Sequence, residues 1–154
     1  MLLNGPGMAL RVGARVGVDI VHIPRIKEML SNITACERVF TKAELKNQEP
    51  SHLSGIFAAK EAVFKALGSA PQWLGVEVRT EENGRPKIMF LKSEIKSILQ
   101  DIEATIGHCD VSISHEGDYA IAIAIICLEA CMEEKRRTEG YGTWKAPSKT
   151  LEPR

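Results

Sequence analysis

The sequence predicts a small α+β fold, in which a small antiparallel sheet packs against a long central helix. Three observations lead to this prediction. Alternating, strand-like segments lie near both ends of the folded region, a long helix-like segment rich in Ala, Phe and Leu lies between them, and an Asn-Gly turn joins two further strands. Strands that are joined by tight turns, and separated along the chain from the helices, are typical of α+β proteins.

Length and charge limit the classes of function. The 154 residues suit one domain, and 44% of them are hydrophobic, which is enough for a single core. The 20 basic residues are balanced by 20 acidic ones, so no overall field attracts nucleic acid, and no apolar run reaches the roughly 18–20 residues of a membrane span. We therefore expect neither nucleic acid nor a membrane as partner. We expect an N-terminal extension (1–13), a folded domain (14–128) and a charged, flexible C-terminal tail (129–154).

The cysteines indicate a reducing compartment. Cys36, Cys109, Cys127 and Cys131 form no CxxC pair, and structural zinc requires tighter clustering. Reduced, packed thiols are typical of cytoplasmic proteins, so a cytoplasmic location is expected.

The first half of the chain predicts one strand followed by helices. Ala14–Ile20 alternates as a strand does, and Pro24 suits the first turn of a helix that continues to Leu30. Thr41 and Glu44 have the spacing of a capping box, which predicts a short helix after them.

The central helix is predicted over His52–Leu67. Ser51 or Ser54 is the expected N-cap, and Gly68 is placed to end the helix in the left-handed conformation.

The second half predicts two hairpins and a helix. Gly75–Thr80 and Pro86–Phe90 flank the Asn-Gly turn, and Ser93–Ile106 has helical periodicity. Asp110–Ser114 and Tyr119–Ile126 are predicted strands. Alanine and isoleucine alternate along the last strand, so it has one close-packed face and one bulky face.

Four polar residues are candidates for a functional site. Glu61 and Lys65 lie one turn apart on the largely apolar central helix, where charges are costly unless they meet each other, a metal or an anionic ligand. Asp19 is a lone acid in the first strand, and His115 ends another strand after Ser112 and Ser114. Together they point to a divalent metal and a phosphorylated ligand.

Structural roles for the same residues stay open at this point. Asp19 can cap the helix at Pro24, and Glu61 with Lys65 can form a surface ion pair worth only about 0.2–0.5 kcal/mol. Lys65 can be a solvated lysine, and a lone histidine such as His115 is often structural.

Ordered motifs carry a resemblance to a known family. They are Gly17-Val18-Asp19-Ile20 with Arg25-Ile26, Phe40-Thr41-x-x-Glu44-Leu45, Phe57-Ala58-Ala59-Lys60-Glu61-Ala62 with Lys65-Ala66-Leu67-Gly68, Asn83-Gly84-Arg85-Pro86, and Val111-Ser112-Ile113-Ser114-His115 with Tyr119-Ala120. The chain resembles the holo-[acyl-carrier-protein] synthases, short single-domain 4′-phosphopantetheinyl transferases, from about Val16 to Ile126.

The resemblance implies the fold of these transferases and an Mg²⁺-dependent reaction. Such enzymes move 4′-phosphopantetheine from coenzyme A to a serine of apo acyl carrier protein and release adenosine 3′,5′-bisphosphate. By the resemblance, Asp19 and Glu61 bind Mg²⁺, Glu61 and Lys65 are catalytic, and Lys65, Gly68 and His115 belong to the coenzyme A site. This chemistry fits Mg²⁺, which is usually held by one or two carboxylates plus water and substrate phosphates.

The resemblance also implies two protein partners. Arg25 matches an arginine that contacts the acidic carrier protein, and the family's short members form homotrimers with active sites between subunits. A subunit of this size has little depth for a coenzyme A cleft, which favours a shared site.

Three departures from the family pattern leave alternatives open. Ile56 stands where the family often has arginine, the segment between Leu45 and Ile56 is short, and the tail beyond Leu128 has no counterpart. The alternatives are a catalytically weak or inactive coenzyme A or carrier-protein binding module of the same fold, and an unrelated metal-dependent phosphohydrolase.

Overall fold

The computed structural model describes residues 13–101 and 104–130. The predicted tail beyond residue 130 and nearly all of the predicted N-terminal extension lie outside the described residues. Within the described ranges the strands and α-helices are β1 (Gly13–His22), α1 (Ile23–Met29), α2 (Ile33–Val39), α3 (Pro50–Leu67), β2 (Val76–Thr80), β3 (Pro86–Phe90), α4 (Lys92–Asp101), β4 (Ala104–Glu116) and β5 (Tyr119–Ala130). Single 3-10 turns are formed by Glu44–Lys46 and Trp73–Gly75.

The strands form two antiparallel sheets. One has the order β1-β5-β4, and the other is the β2-β3 hairpin. Helix α3 packs on β1 and β5, against the face that carries Ala120, Ala122 and Ala124, which are fully buried. The predicted α+β class and the predicted alternation along the last strand are therefore confirmed. None of the α-helices in the described part of the chain is long and apolar enough to cross a membrane.

Helix α3 begins earlier than predicted. Its N-cap is Glu49, whose carboxylate accepts a hydrogen bond of 2.8 Å from the backbone N–H of His52. Pro50 occupies the first turn, where its missing N–H costs nothing, so the helix starts before either predicted serine cap. Ser54 donates instead to the Pro50 carbonyl at 2.7 Å. Gly68 ends the helix with φ of +72°, as predicted.

One further boundary differs from prediction, and one helix was not predicted. Helix α4 ends at Asp101 rather than continuing to Ile106, because Ala104 and Ile106 already pair with Ala130 and Leu128 of β5. Ladder pairing in the sheet thus overrides the helical spacing of the isoleucines. Helix α2 was missed, although its N-cap Asn32 accepts a bond from the Ala35 N–H.

The capping box forms, but it begins a single 3-10 turn rather than an α-helix. The backbone N–H of Glu44 donates to Thr41 Oγ1 at 3.3 Å, and the Thr41 N–H donates back to Glu44 Oε2 at 2.7 Å. The Glu44 carboxylate also forms a 2.7 Å ion pair with Lys60, and both side chains are fully buried. Sequence reasoning missed this pair, although position 60 lies on the apolar side of α3.

Candidate active site

Glycine at position 17 lets β1 approach α3 closely. A Cβ atom built there would collide with the Ala62 carbonyl oxygen and lie 2.7 Å from the Ala66 backbone nitrogen. Side chains two residues apart on a strand share a face, so Asp19 points to the same helix as Gly17. The close contact therefore brings the Asp19 carboxylate to the edge of α3 that carries Glu61 and Lys65.

Lys65 pairs with Asp19 rather than with Glu61. Its Nζ lies 2.7 Å from Asp19 Oδ1 and also donates to the Val18 carbonyl at 3.2 Å. The hydrogen bond to Asp19 raises the pKa of Lys65 above its ordinary value, so the ammonium is retained throughout the neutral range. The i,i+4 surface pair that the sequence left open does not form.

Glu61 is half-buried and forms no ion pair with another described residue. Burial raises the pKa of its carboxyl, and the negative charge of Asp19 raises it further, while Lys65 and Arg25 act in the opposite direction. The two carboxylates are thus close enough to repel each other, and two cations partly compensate them.

Arg25 joins this cluster from α1. Its guanidinium lies over the Phe57 ring, 5.9 Å from the centroid, and its side chain is exposed. Phe57 is one turn before Glu61 on α3, which explains how Arg25 reaches the electrostatic environment of that carboxylate.

His115 lies elsewhere in the same chain. Its Nε2 is 3.0 Å from the Ser51 carbonyl oxygen, near the start of α3, and beside Gly55. A carbonyl only accepts, so this contact requires the hydrogen on Nε2. The ring thus lies at the level of Ser51 to Gly55, six to ten residues before Glu61 on the same helix, or about 9–15 Å along its axis. One chain therefore does not bring His115 to the Asp19–Glu61–Lys65 cluster.

The end of α3 is fixed next to the cluster. Gly68 follows Lys65 by three residues, and its N–H donates to the carbonyls of Phe64 and Lys65. Arg15 on β1 donates to the Leu67 carbonyl at 3.0 Å. A guanidinium at a helix C-terminus is electrostatically favourable and ties this end of α3 to the sheet.

Ile56 contributes to packing. It is 3% exposed and belongs to the hydrophobic core, so the position at which the resemblance leads one to expect arginine carries no polar contact here.

Within residues 13–101 and 104–130, no group of three or more His, Cys, Asp or Glu side chains is arranged to hold a metal.

The comparison with protein families decides the assignment. Residues 15–124 match the 4′-phosphopantetheinyl transferase superfamily. This chain belongs to that superfamily. A holo-[acyl-carrier-protein] synthase from Caldanaerobacter subterraneus subsp. tengcongensis is 39% identical over 120 residues, covering 71% of this chain and 91% of the relative. The synthase of Clostridium kluyveri is 40% identical over 120 residues, covering 72% and 87% respectively.

Solved structures of the superfamily share the fold. The Chronobacterium ammoniagenes ACPS–CoA complex aligns with a TM-score of 0.62 and 33% identity, covering 76% of this chain and 98% of that one. The Helicobacter pylori synthase in complex with coenzyme A aligns with a TM-score of 0.61 and 28% identity, covering 72% and 98%. The predicted family, fold and enzyme class, a phosphopantetheinyl transferase, are confirmed.

Proposed function

We propose that this transferase moves 4′-phosphopantetheine from coenzyme A to a serine hydroxyl of apo acyl carrier protein, releasing adenosine 3′,5′-bisphosphate. The observation that carries the proposal is the cluster of Asp19, Glu61 and Lys65 at the β1–α3 contact. It lies in a chain whose relatives are named for this reaction.

The reaction requires positioning and charge neutralisation. The serine hydroxyl gives up its proton to solvent as its oxygen forms a bond to the β-phosphorus of the pyrophosphate, and the bond from that phosphorus to the bridging oxygen breaks, leaving negative charge on the bisphosphate. Lys65 keeps its proton at neutral pH and is half exposed, so its ammonium can offset this charge.

The two carboxylates fit Mg²⁺. Asp19 and Glu61 offer hard oxygen ligands close together, and the described residues offer no third protein ligand nearby. Mg²⁺ is commonly held in this way, with water and substrate phosphates completing its six positions. When bound, the ion neutralises charge on the pyrophosphate. Asp19 and Glu61 would hold it, and removal of the metal with a chelator should abolish transfer until Mg²⁺ or Mn²⁺ is restored.

An exposed apolar sheet face supports a homotrimer. Seven side chains on the face opposite α3 are between 39% and 65% exposed: Val16, Val18, Ile20, Tyr119, Ile121, Ile123 and Ile125. Contiguous apolar surface of this kind is typical of an interface. The separation of His115 from Glu61 within one chain supports the same assembly, because a second copy would supply His115, as part of the coenzyme A site, to the cluster.

Arg25 supports a docking surface for the acidic carrier protein. Between His22 and Lys46 there are five basic residues and three glutamates, a small positive excess in a neutral chain. The Arg25 guanidinium is exposed on α1, near the Phe57 ring and within electrostatic range of Glu61. A carrier protein held there would lie close to the reacting groups.

The cysteines support a cytoplasmic location. Cys36, Cys109 and Cys127 are free thiols, which are typical of proteins in a reducing compartment.

A binding module without turnover is the second candidate. The burial of Ile56 favours it, because this position offers no cation to the donor. The retained cluster of Asp19, Glu61 and Lys65 favours the transferase.

One experiment separates the candidates. The protein is incubated with coenzyme A, Mg²⁺ and apo carrier protein, and the carrier is examined by intact mass for the phosphopantetheine adduct. The transferase predicts an adduct that Asp19→Ala and Glu61→Ala each slow by several orders of magnitude, whereas the control Lys96→Met, at an exposed lysine on α4, does not. A carrier that binds but gains no mass would support the binding module. Hydrolysis of coenzyme A without carrier protein would indicate a phosphohydrolase.

A further inference from the structure

The Asp19 carboxylate has a counter-ion within its own chain. Lys65 Nζ lies 2.7 Å from Asp19 Oδ1, and the Asp19 side chain is only 14% exposed, so this is a partly desolvated ion pair. The same ammonium donates to the neutral Val18 carbonyl at 3.2 Å. Both contacts lie at the place where the proposed cation would bind.

The charged side chains of the cluster balance one another. Asp19 and Glu61 supply two negative charges, and Lys65 and Arg25 supply two positive ones that act on Glu61. A divalent ion held by both carboxylates would add two positive charges within a few ångströms of the Lys65 ammonium. Their repulsion is strong in a partly buried site, where screening by water is reduced.

Lys65 is free to leave while Asp19 is held in place. Its side chain is 51% exposed on a flexible four-carbon stem, and its second acceptor is an uncharged carbonyl. Asp19 is held by the tight β1–α3 contact at Gly17. The preceding lysine on α3, Lys60, is by contrast fully buried with three acceptors and has no such freedom.

We propose that Lys65 couples the binding of the metal ion to that of the phosphorylated donor. In the free enzyme Lys65 competes with the cation for Asp19, and donor phosphates accept the ammonium when it is displaced. The cation therefore binds weakly alone and tightly with the donor. This inference rests on the proposed function and assigns to Lys65 a role in the order of binding, in addition to its role in charge neutralisation.

The coupling must be reciprocal. If coenzyme A tightens the binding of the cation by some factor, the cation must tighten the binding of coenzyme A by the same factor, because the two routes to the ternary complex have equal free energy. Removing the lysine charge should therefore both release Asp19 for the cation and reduce the effect of each ligand on the other.

The test measures Mn²⁺ binding, with free Mn²⁺ followed by electron paramagnetic resonance. Titrations are made with and without saturating coenzyme A and corrected for Mn²⁺ bound by coenzyme A alone. The proteins are the wild type, Lys65→Met, Lys65→Arg, Asp19→Asn and the control Lys96→Met, at an exposed lysine on α4. Circular dichroism verifies that each variant is folded.

The expected result is specific to the lost charge. Lys65→Met should bind Mn²⁺ without donor at least about fivefold more tightly than the wild type, and the donor should no longer strengthen that binding; coupling of about 5–150-fold is typical where it exists. Lys65→Arg, which keeps the positive charge, should retain coupling, and Lys96→Met should match the wild type.

Two other results would overturn the inference, and they differ in what they say of the proposed function. If Asp19→Asn weakens Mn²⁺ binding but Lys65→Met does not tighten it, the metal site stands and the competition by Lys65 is wrong. If no folded variant binds Mn²⁺ under either condition, both the competition and the proposed metal site are wrong.

Discussion

Lys60 is the most fully enclosed charge among the described residues. Its Nζ contacts Glu44 at 2.7 Å, the Val39 carbonyl at 2.8 Å and the Trp73 carbonyl at 3.1 Å, so all three ammonium hydrogens have acceptors. Burial lowers the pKa of Lys60, and the negative charge of Glu44 opposes that change. The ammonium thus links α3 to the end of α2 and to the turn before β2.

Breaking this pair should destabilise the fold strongly. Lys60→Met leaves the Glu44 carboxylate buried without its cation, which typically costs about 3–5 kcal/mol. Urea unfolding should show a loss of this size, while Lys27→Met, at an exposed lysine, should change stability little. The double variant Lys60→Met/Glu44→Gln should be more stable than Lys60→Met alone, because a neutral amide replaces the unpaired charge. A loss below about 1 kcal/mol for Lys60→Met would contradict this account.

Because the pKa of Glu61 is raised, we predict that chelator-treated protein loses folding stability as the pH rises. Burial and Asp19 raise this pKa above its unfolded value, so the folded state binds the proton more tightly. At pH below the ordinary glutamate value of about 4.3, the residue is protonated in both states and has no effect. As the pH rises through the folded pKa, ionised Glu61 destabilises the fold.

Glu61→Gln should therefore raise the melting temperature of chelator-treated protein at pH 7–8, and the gain should vanish near pH 3–4. Differential scanning calorimetry across this range measures it, with Glu28→Gln on the exposed side of α1 as the matched control. An equal change at every pH would show that the cause is not the ionised carboxylate.

At the scale of the elements, the contact between β1 and α3 determines where the site lies. A methyl group at Gly17 would meet the backbone of α3, which cannot move aside as a side chain can. The Asp19 carboxylate owes its position beside Lys65 to this approach.

Gly17→Ala should cost about 3 kcal/mol, at the upper end of typical overpacking, and should weaken Mn²⁺ binding in whatever fraction stays folded. The control is Gly13→Ala at the start of the same strand, where an added Cβ meets nothing within 4 Å. Urea unfolding of the two variants measures the difference. Equal stability of both would mean that the close approach does not constrain the site.

Local chemistry made some elements predictable. The Asn-Gly turn, the left-handed Gly68 and the alternation of alanine and isoleucine each depend on near neighbours, and all three are present. The junction between α4 and β4 could not be predicted, because it depends on pairing with β5. The Lys65–Asp19 pair joins residues 46 positions apart, so helical spacing alone suggested the wrong partner for Lys65.

At the scale of the whole molecule, the sheet has one covered and one exposed face. Helix α3 covers the alanine side, and the valine and isoleucine side is uncovered in the single chain. His115 lies about 9–15 Å along α3 from Glu61, which also favours a second copy of the chain as the source of the histidine at the cluster. Both features are accounted for if three copies assemble through the exposed face.

Ile123→Glu tests the assembly. Ile123 lies on the central strand between Val18 and Ser112, so a carboxylate there would sit in the middle of the interface. Light scattering should show the mass fall about threefold, from trimer to monomer, with loss of transfer and retention of the circular dichroism spectrum. Thr80→Glu, at an exposed position on β2, is the control. A wild-type protein that is monomeric while fully active would refute the assembly.

The central claim is that two copies of the chain together form a phosphopantetheinyl transferase site, and a mixing experiment tests it most directly. Asp19→Ala and His115→Ala chains are unfolded together, refolded as mixed assemblies, and assayed by intact mass for the adduct on apo carrier protein. Each variant alone should be severely impaired. At equal amounts about a quarter of the sites should combine an intact Asp19 from one copy with an intact His115 from its neighbour, and activity should recover accordingly. A mixture no more active than the two separate variants, prepared beside a refolded wild type that forms the adduct, would contradict the shared site.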